Sequence, residues 1–223
     1  MKKILFVTLF CSTFFANAQE VKKQLGDFTK VTAFDKIDVL LVKSTENKIE
    51  ITGSDAESVQ VVNKNGELKI RLPFTKLLSG DTISATVFFT NLDAVEANEG
   101  SRLACESVLK ATAFDIIAKE GATIKIQLNV TSASVKATSG ANVTISGNAT
   151  TQNINISSGG ILNASEFKTK TTNVTISAGG EAEVNASDFV DAKVRAGGNV
   201  SVYGNPKQVN EKTFAGGKIE RVN

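Results

Sequence analysis

Three groups of residues in this 223-residue chain carry polar chemistry at regular spacing. The first is a set of amides and hydroxyls: Asn142 and Thr144, Asn153 and Asn155, Asn173 and Thr175, Asn199 and Ser201. Within each pair the two residues are separated by one position, which puts both side chains on the same side of a strand. Such donor and acceptor groups, repeated on flat strands, suit hydrogen bonding to a glycan or to another protein, and they equally suit the solvated exterior of any strand array. The second group is acidic: Glu181, Glu183, Asp188 and Asp191. Two carboxylates facing one groove would serve glycoside hydrolysis, and clustered oxygens would serve calcium. Glu181 and Glu183, however, alternate with the apolar Ala182 and Val184, which assigns them to a solvated face, and Asp188 and Asp191 fall in a variable turn. The third candidate, Cys105, sits in an apolar column, where a cysteine acts as a small core residue rather than a nucleophile.

The chain contains neither histidine nor tryptophan. Serine–histidine and cysteine–histidine catalysis are therefore excluded, as are zinc sites built on imidazole. Aromatic platforms for sugar rings are limited to Tyr203 and phenylalanines expected in the core. The glycines form no phosphate-cradling loop with its lysine, and the calcium-binding Gly-Gly-x-Gly-x-Asp repeat is not matched. No catalytic, metal or cofactor site is expected on these grounds.

The elements that carry these residues are set by a repeat. Gly-small-x-apolar-x-apolar begins at Gly100, Gly121, Gly140, Gly159, Gly179, Gly197 and Gly216, with separations of 21, 19, 19, 20, 18 and 19 residues. Three residues past each glycine stand Leu103, Ile124, Val143, Leu162, Ala182, Val200 and Ile219. Five and three residues before it stand pairs such as Val95/Ala97, Ile116/Ala118, Val135/Ala137, Ile154/Ile156 and Val174/Ile176. An apolar period of two on each side of a glycine means two strands joined by a tight corner that needs positive φ. One copy buries too few side chains to offset the ordering of its own backbone, so copies must stack. The expectation is an all-β, right-handed parallel β-helix or solenoid of about 19-residue coils, preceded by irregular strands and a hairpin acting as an N-terminal cap. Seven rungs at roughly 4.8 Å make a rod about 30 Å long. In the last copy Glu211, Thr213 and Arg221 enter formerly apolar positions, which would blunt the terminal edge.

At the N-terminus, Lys2 and Lys3, the apolar run Ile4–Phe15 and Ala16-Asn17-Ala18 read as a secretory signal over residues 1–18, which would carry Cys11 away. Phe10 before Cys11 argues against a lipoprotein signal. Without the leader, 23 basic residues face 23 acidic ones, so net charge offers nothing to a nucleic-acid partner. No later apolar stretch is long enough to span a bilayer, and the product is expected in the periplasm, at the cell surface or outside the cell. Residues 19–99 read as cap and degenerate rungs, continuous with the repeats of residues 100–223 as one domain. Phe34–Val42 is read as a strand, Ile49–Thr52 as its continuation after a turn, and Ser54–Ser58 as a helical turn. Val59–Val62 and Leu68–Leu72 flank Asn65-Gly66, a two-residue hairpin signal. Pro73–Asp81 reads as a loop and Thr82–Thr90 as a poorly alternating buried strand.

The opening phrase Val31-Thr32-Ala33-Phe34-Asp35-Lys36-Ile37-Asp38-Val39, the Lys64-Asn65-Gly66-Glu67-Leu68-Lys69-Ile70 hairpin and the later Ser/Ala-Gly-Gly rungs resemble the bacterial family known as the putative auto-transporter adhesin, head GIN domain. The likeness runs over nearly the whole mature chain. It departs at Leu40-Leu41-Val42, where the family often carries glycine. The resemblance implies export, a repetitive all-β fold, a Bacteroidetes-type origin and adhesion, and it brings no catalytic residues. The expected function is thus a secreted, non-enzymatic cell-envelope protein that presents a polar solenoid face to glycan or protein. The alternatives are a carbohydrate-active enzyme built on a β-helix, and a structural periplasmic protein with no ligand of its own.

Overall fold

The computed structural model describes residues 20–222, so the leader expected over residues 1–18, with Cys11, lies outside the described residues. The N-terminal strands are β1 (Glu20–Gln24), β2 (Lys30–Ala33), β3 (Asp38–Lys43), β4 (Lys48–Thr52), β5 (Gln60–Lys64), β6 (Glu67–Arg71), β7 (Ser84–Phe89) and β8 (Ala94–Ala97). The coils follow as β9 (Arg102–Ala118), β10 (Thr123–Thr138), β11 (Asn142–Asn148), β12 (Thr151–Ser157), β13 (Ile161–Ser177), β14 (Glu181–Arg195), β15 (Asn199–Tyr203), β16 (Gln208–Phe214) and β17 (Lys218–Arg221). No α-helix occurs among the described residues, which form a β-solenoid of about 7 turns.

Each coil has two legs. The chain enters the first leg after a corner glycine, bends, and runs along the second leg to the next corner. In β9, β10, β13 and β14 one bent strand makes both legs, whereas β11/β12 and β15/β16 are broken at the bend. The inward residues stack as the period demands. Leu103, Ile124, Val143, Leu162, Ala182, Val200 and Ile219 are successive ladder partners, and all but the half-buried Ile219 are buried. The same column runs on through Val39, Ala85, Ile51 and Val21. On the second leg Ala97, Ala118, Ala137, Ile156, Ile176 and Val194 form the facing column. Inward residues of both legs belong to one core.

The corners are two-residue turns with positive φ at both positions, for instance Glu120 at 56° and Gly121 at 71°. These are the dihedrals of a type I′ turn. The small residue that follows points inward: Ser101, Ala122 and Ala141 are fully buried. At Gly180 even a methyl would not fit, because a Cβ there would lie 2.6 Å from Ile156 Cγ2 and 2.7 Å from the Gly160 carbonyl oxygen.

The N-terminal rungs do not stack in chain order. The first leg runs β1–β4–β7–β3–β9 and the second β5–β6–β2–β8–β9. The outermost strands are antiparallel to their neighbours: β4 to β7, β1 to β4, and β5 to β6. The hairpin forms at Asn65-Gly66, with φ of 54° and 78°. Phe34–Val42 is not one strand, because Asp35 and Lys36 both take φ near 60° and turn β2 into β3. The buried Asp35 carboxylate stabilises this corner by accepting from the backbone N–H of Leu72 at 2.8 Å and of Leu78 at 3.1 Å. β7 also differs from expectation, since it alternates cleanly: Ala85, Val87 and Phe89 are buried, while Thr86 and Phe88 are half-buried on the other side. Residues 73–81 are a loop containing a 3₁₀ turn at Phe74–Lys76. At the far end, Glu211 and Arg221 occupy inward columns of opposite legs and approach to 3.7 Å, an ion pair across the bottom of the core.

Candidate functional site

The eight amide and hydroxyl residues divide between two faces. Asn142, Thr144, Asn199 and Ser201 lie on the first leg, and Asn153, Asn155, Asn173 and Thr175 on the second. Because the inward side chains of both legs share one core, the outward sets point away from each other. On the first leg the set is interrupted. Ile161 and Asn163, then Glu181 and Glu183, stand in the ladder between its two halves. Asn163 Nδ2 donates weakly to Asn142 Oδ1 at 3.4 Å, and Ser201 to the Glu220 carboxylate at 3.4 Å.

The second-leg residues do come together. Asn153 pairs with Asn173 and Asn155 with Thr175 in adjacent rungs, and Asn173 Nδ2 donates to Asn153 Oδ1 at 2.9 Å. That bond aligns two amides along the rod and leaves their remaining donors and acceptors facing water. The same columns continue upward through Ser134 and Lys136, and downward through Asp191 and Lys193, then Asn210 and Lys212. The result is a grid about 4.8 Å between rungs and free of large apolar side chains over five rungs. The flanking lysines were readable from the sequence, because they hold the same offsets from their corner glycines as the asparagines do.

The acidic group does not make a paired-carboxylate site. Glu181 and Glu183 lie on the first leg, and Asp188 and Asp191 beyond the bend. Asp188 accepts from Lys207 Nζ at 2.7 Å, and this bond holds its carboxyl below the usual range. Asp191 is bonded to Lys193. Among the described residues no group of three or more potential ligands is placed to hold a metal ion. Cys105 is buried, its thiol directed at the Ser107 carbonyl at 3.3 Å, and burial pushes its pKa up, away from nucleophilic thiolate.

The most buried ion pairs lie on the upper second leg. Glu96 accepts from Lys30 at 2.6 Å and from Lys119 at 2.7 Å, and Lys30 also reaches Glu67 at 3.2 Å. Burial works against ionisation of Glu96, yet the two amines outweigh it and hold its carboxyl below the usual range. These bonds cross strands and fix the rungs to one another.

The family model of the putative auto-transporter adhesin, head GIN domain, matches residues 27–206. The chain belongs to this family. No curated protein is matched. Among solved structures, the head GIN fold of this chain is similar to a putative adhesin from Bacteroides fragilis, at 20% identity and a TM-score of 0.85, covering 93% of this chain and 98% of that one. A putative adhesin from Parabacteroides merdae is similar at 18% identity and a TM-score of 0.74, covering 94% and 98%. A putative lipid binding protein from Parabacteroides distasonis is similar at 14% identity and a TM-score of 0.70, again covering 94% and 98%. At these identities the likeness to solved structures is one of fold. No helix among the described residues is long and apolar enough to cross a membrane.

Proposed function

We propose that this head GIN domain is an exported, non-enzymatic binding module of the cell envelope, and that it presents its second-leg face to a glycan or to another protein. The observation that carries this reading is the Asn153–Asn173 bond within a flat grid of amides, hydroxyls and lysines. Spaced donors and acceptors on a rigid support meet a polar ligand with little loss of side-chain freedom. The family's description as an adhesin supports the same role. The first-leg residues Asn142, Thr144, Asn199 and Ser201 are assigned to the solvated exterior.

An array of glycans and matrix proteins probed with the full chain tests this. The expected result is binding that falls at least tenfold in an Asn155→Ala/Thr175→Ala variant and persists in Asn142→Ala/Asn199→Ala. Absence of any bound ligand, together with unchanged attachment of cells lacking the protein, would overturn it.

A further inference from the structure

The solenoid lacks part of one rung. Above β9, the coil is assembled from two separate pieces. β3 pairs with residues 102–105 and β8 with residues 115–118. After Lys43 the chain leaves for β4 and the hairpin, and it returns only at Asp93, whose carbonyl accepts from the Asp115 N–H at 2.9 Å. Residues 106–114 of β9 therefore have no strand partner above among the described residues; the ladder with β10 below is broken by a bulge at Glu106-Ser107 and resumes at Val108. In the next coil down, β10 is paired above and below across the same bend. The gap is a cleft of about 670 Å³. Buried Phe89, Leu92 and Leu109 line it, and Val108, 43% exposed, stands at its rim.

Open strand edges are ordinarily short, charged or covered, because unpaired N–H and C=O groups recruit other strands. This one carries Val108, Ala111 and Ala113, with Glu106 at its start and Lys110 at its centre as its charges. Two amines face the cleft, Lys43 and Lys110, and neither has a carboxylate partner among the described residues. Lys43 donates to the Thr90 carbonyl and lies 5.5 Å from the centre of the Phe89 ring. Asp93 is the single acid in the lining.

We infer that this notch receives an extended peptide of about six residues, roughly 20 Å at 3.3 Å per residue, which adds itself to the free edge of β9 as the missing rung. Main-chain hydrogen bonds to residues 106–114 hold it, an inward apolar side chain meets Leu109, and acidic side chains meet Lys43 and Lys110. The site is separate from the amide grid and stands whether or not the grid binds anything.

The test is selection of a displayed library of random heptapeptides on the full chain, with the winners re-measured as free peptides. Enrichment of sequences alternating acidic and apolar residues is expected. Binding should slow amide exchange within residues 106–114, weaken at least tenfold when alternate peptide nitrogens are methylated, and weaken similarly in Lys110→Glu. That exposed substitution leaves the packing of Lys43 on Phe89 intact. Asn155→Ala/Thr175→Ala should change nothing here, which separates failure of the notch from failure of the grid. No enrichment over Lys110→Glu, undiminished binding of methylated peptides, or exchange protection by laurate micelles in place of peptide would each overturn the inference.

Discussion

From Gly121 onward the molecule repeats one solution, whereas the first eighty described residues reach the same cross-section by crossovers. In the coils, chain order and stacking order coincide, and each rung is held by its neighbours in the sequence. In the N-terminal part, β7 lies between β4 and β3, β2 lies between β6 and β8, and the end strands reverse direction. The difference shows what ends a solenoid. A coil can extend only another coil, so terminating the stack takes strands that no longer present the repeat to a new rung. The price is long-range pairing, a partly open rung and buried carboxylates at Asp35 and Glu96.

The largest expected effect tests whether the two regions are one cooperative unit. Phe167 is fully buried beside Gly147, and Phe167→Ala should cost about 3–5 kcal/mol in chemical denaturation. A single transition recorded by both regions is expected. Separate melting of the coils, with the N-terminal strands intact, would make the contrast one between two domains.

Next come the corners. Gly180→Ala should cost about 2–3 kcal/mol, because its Cβ would overlap Ile156 and the Gly160 carbonyl. Gly179→Ala, with φ of 78° and no atom within 4 Å of the added carbon, should cost about 1 kcal/mol. Both positions have positive φ, so the difference in thermal unfolding between the two variants measures the added cost of lacking space.

The coils also contain one flaw. Gln152 is fully buried and both polar atoms of its side chain lack partners, beside Ala133 and Thr172 in an inward column. Gln152→Leu should stabilise the protein by about 1–3 kcal/mol. A loss of stability would show that this position belongs to a polar network.

The smallest effect concerns the charges of the N-terminal part. The folded-state pKa of Glu96 lies below its ordinary value of 4.5. Its contribution is therefore complete above about pH 4.5 and disappears as pH falls through the lower folded value. Glu96→Gln should remove that part of the acid sensitivity, worth on the order of 1 kcal/mol for a buried carboxylate paired with two partly exposed lysines. Glu99, three residues on, has the opposite sign: burial and the nearby Asp35 carboxylate raise its pKa, so it favours folding at low pH. The same acid titration on Glu99→Gln should move the curve the other way.

The coils were legible because their period is short and strict. The column from Leu103 to Ile219 was read residue by residue, and so was the Asn65-Gly66 hairpin. The N-terminal order was not, since crossovers leave no local mark and Phe34–Val42 alternates as one strand would. Asp35-Lys36 is an unusual pair for two positive φ angles, and what holds it there, the bonds to Leu72 and Leu78, comes from distant residues. The polar positions were found by their period, but which of them share a face depends on the bend, whose place varies from coil to coil. Gln152 leaves no inward signal in the sequence, because it lies just past a broken bend and reads as loop.

β1 and β17 lie at opposite ends of the first-leg ladder, so tension applied between them runs through the rungs in series. Under drag, such a rod yields by shedding its outermost turn. Each 19-residue turn that peels away lengthens the chain by roughly 60–70 Å while the remainder keeps its shape.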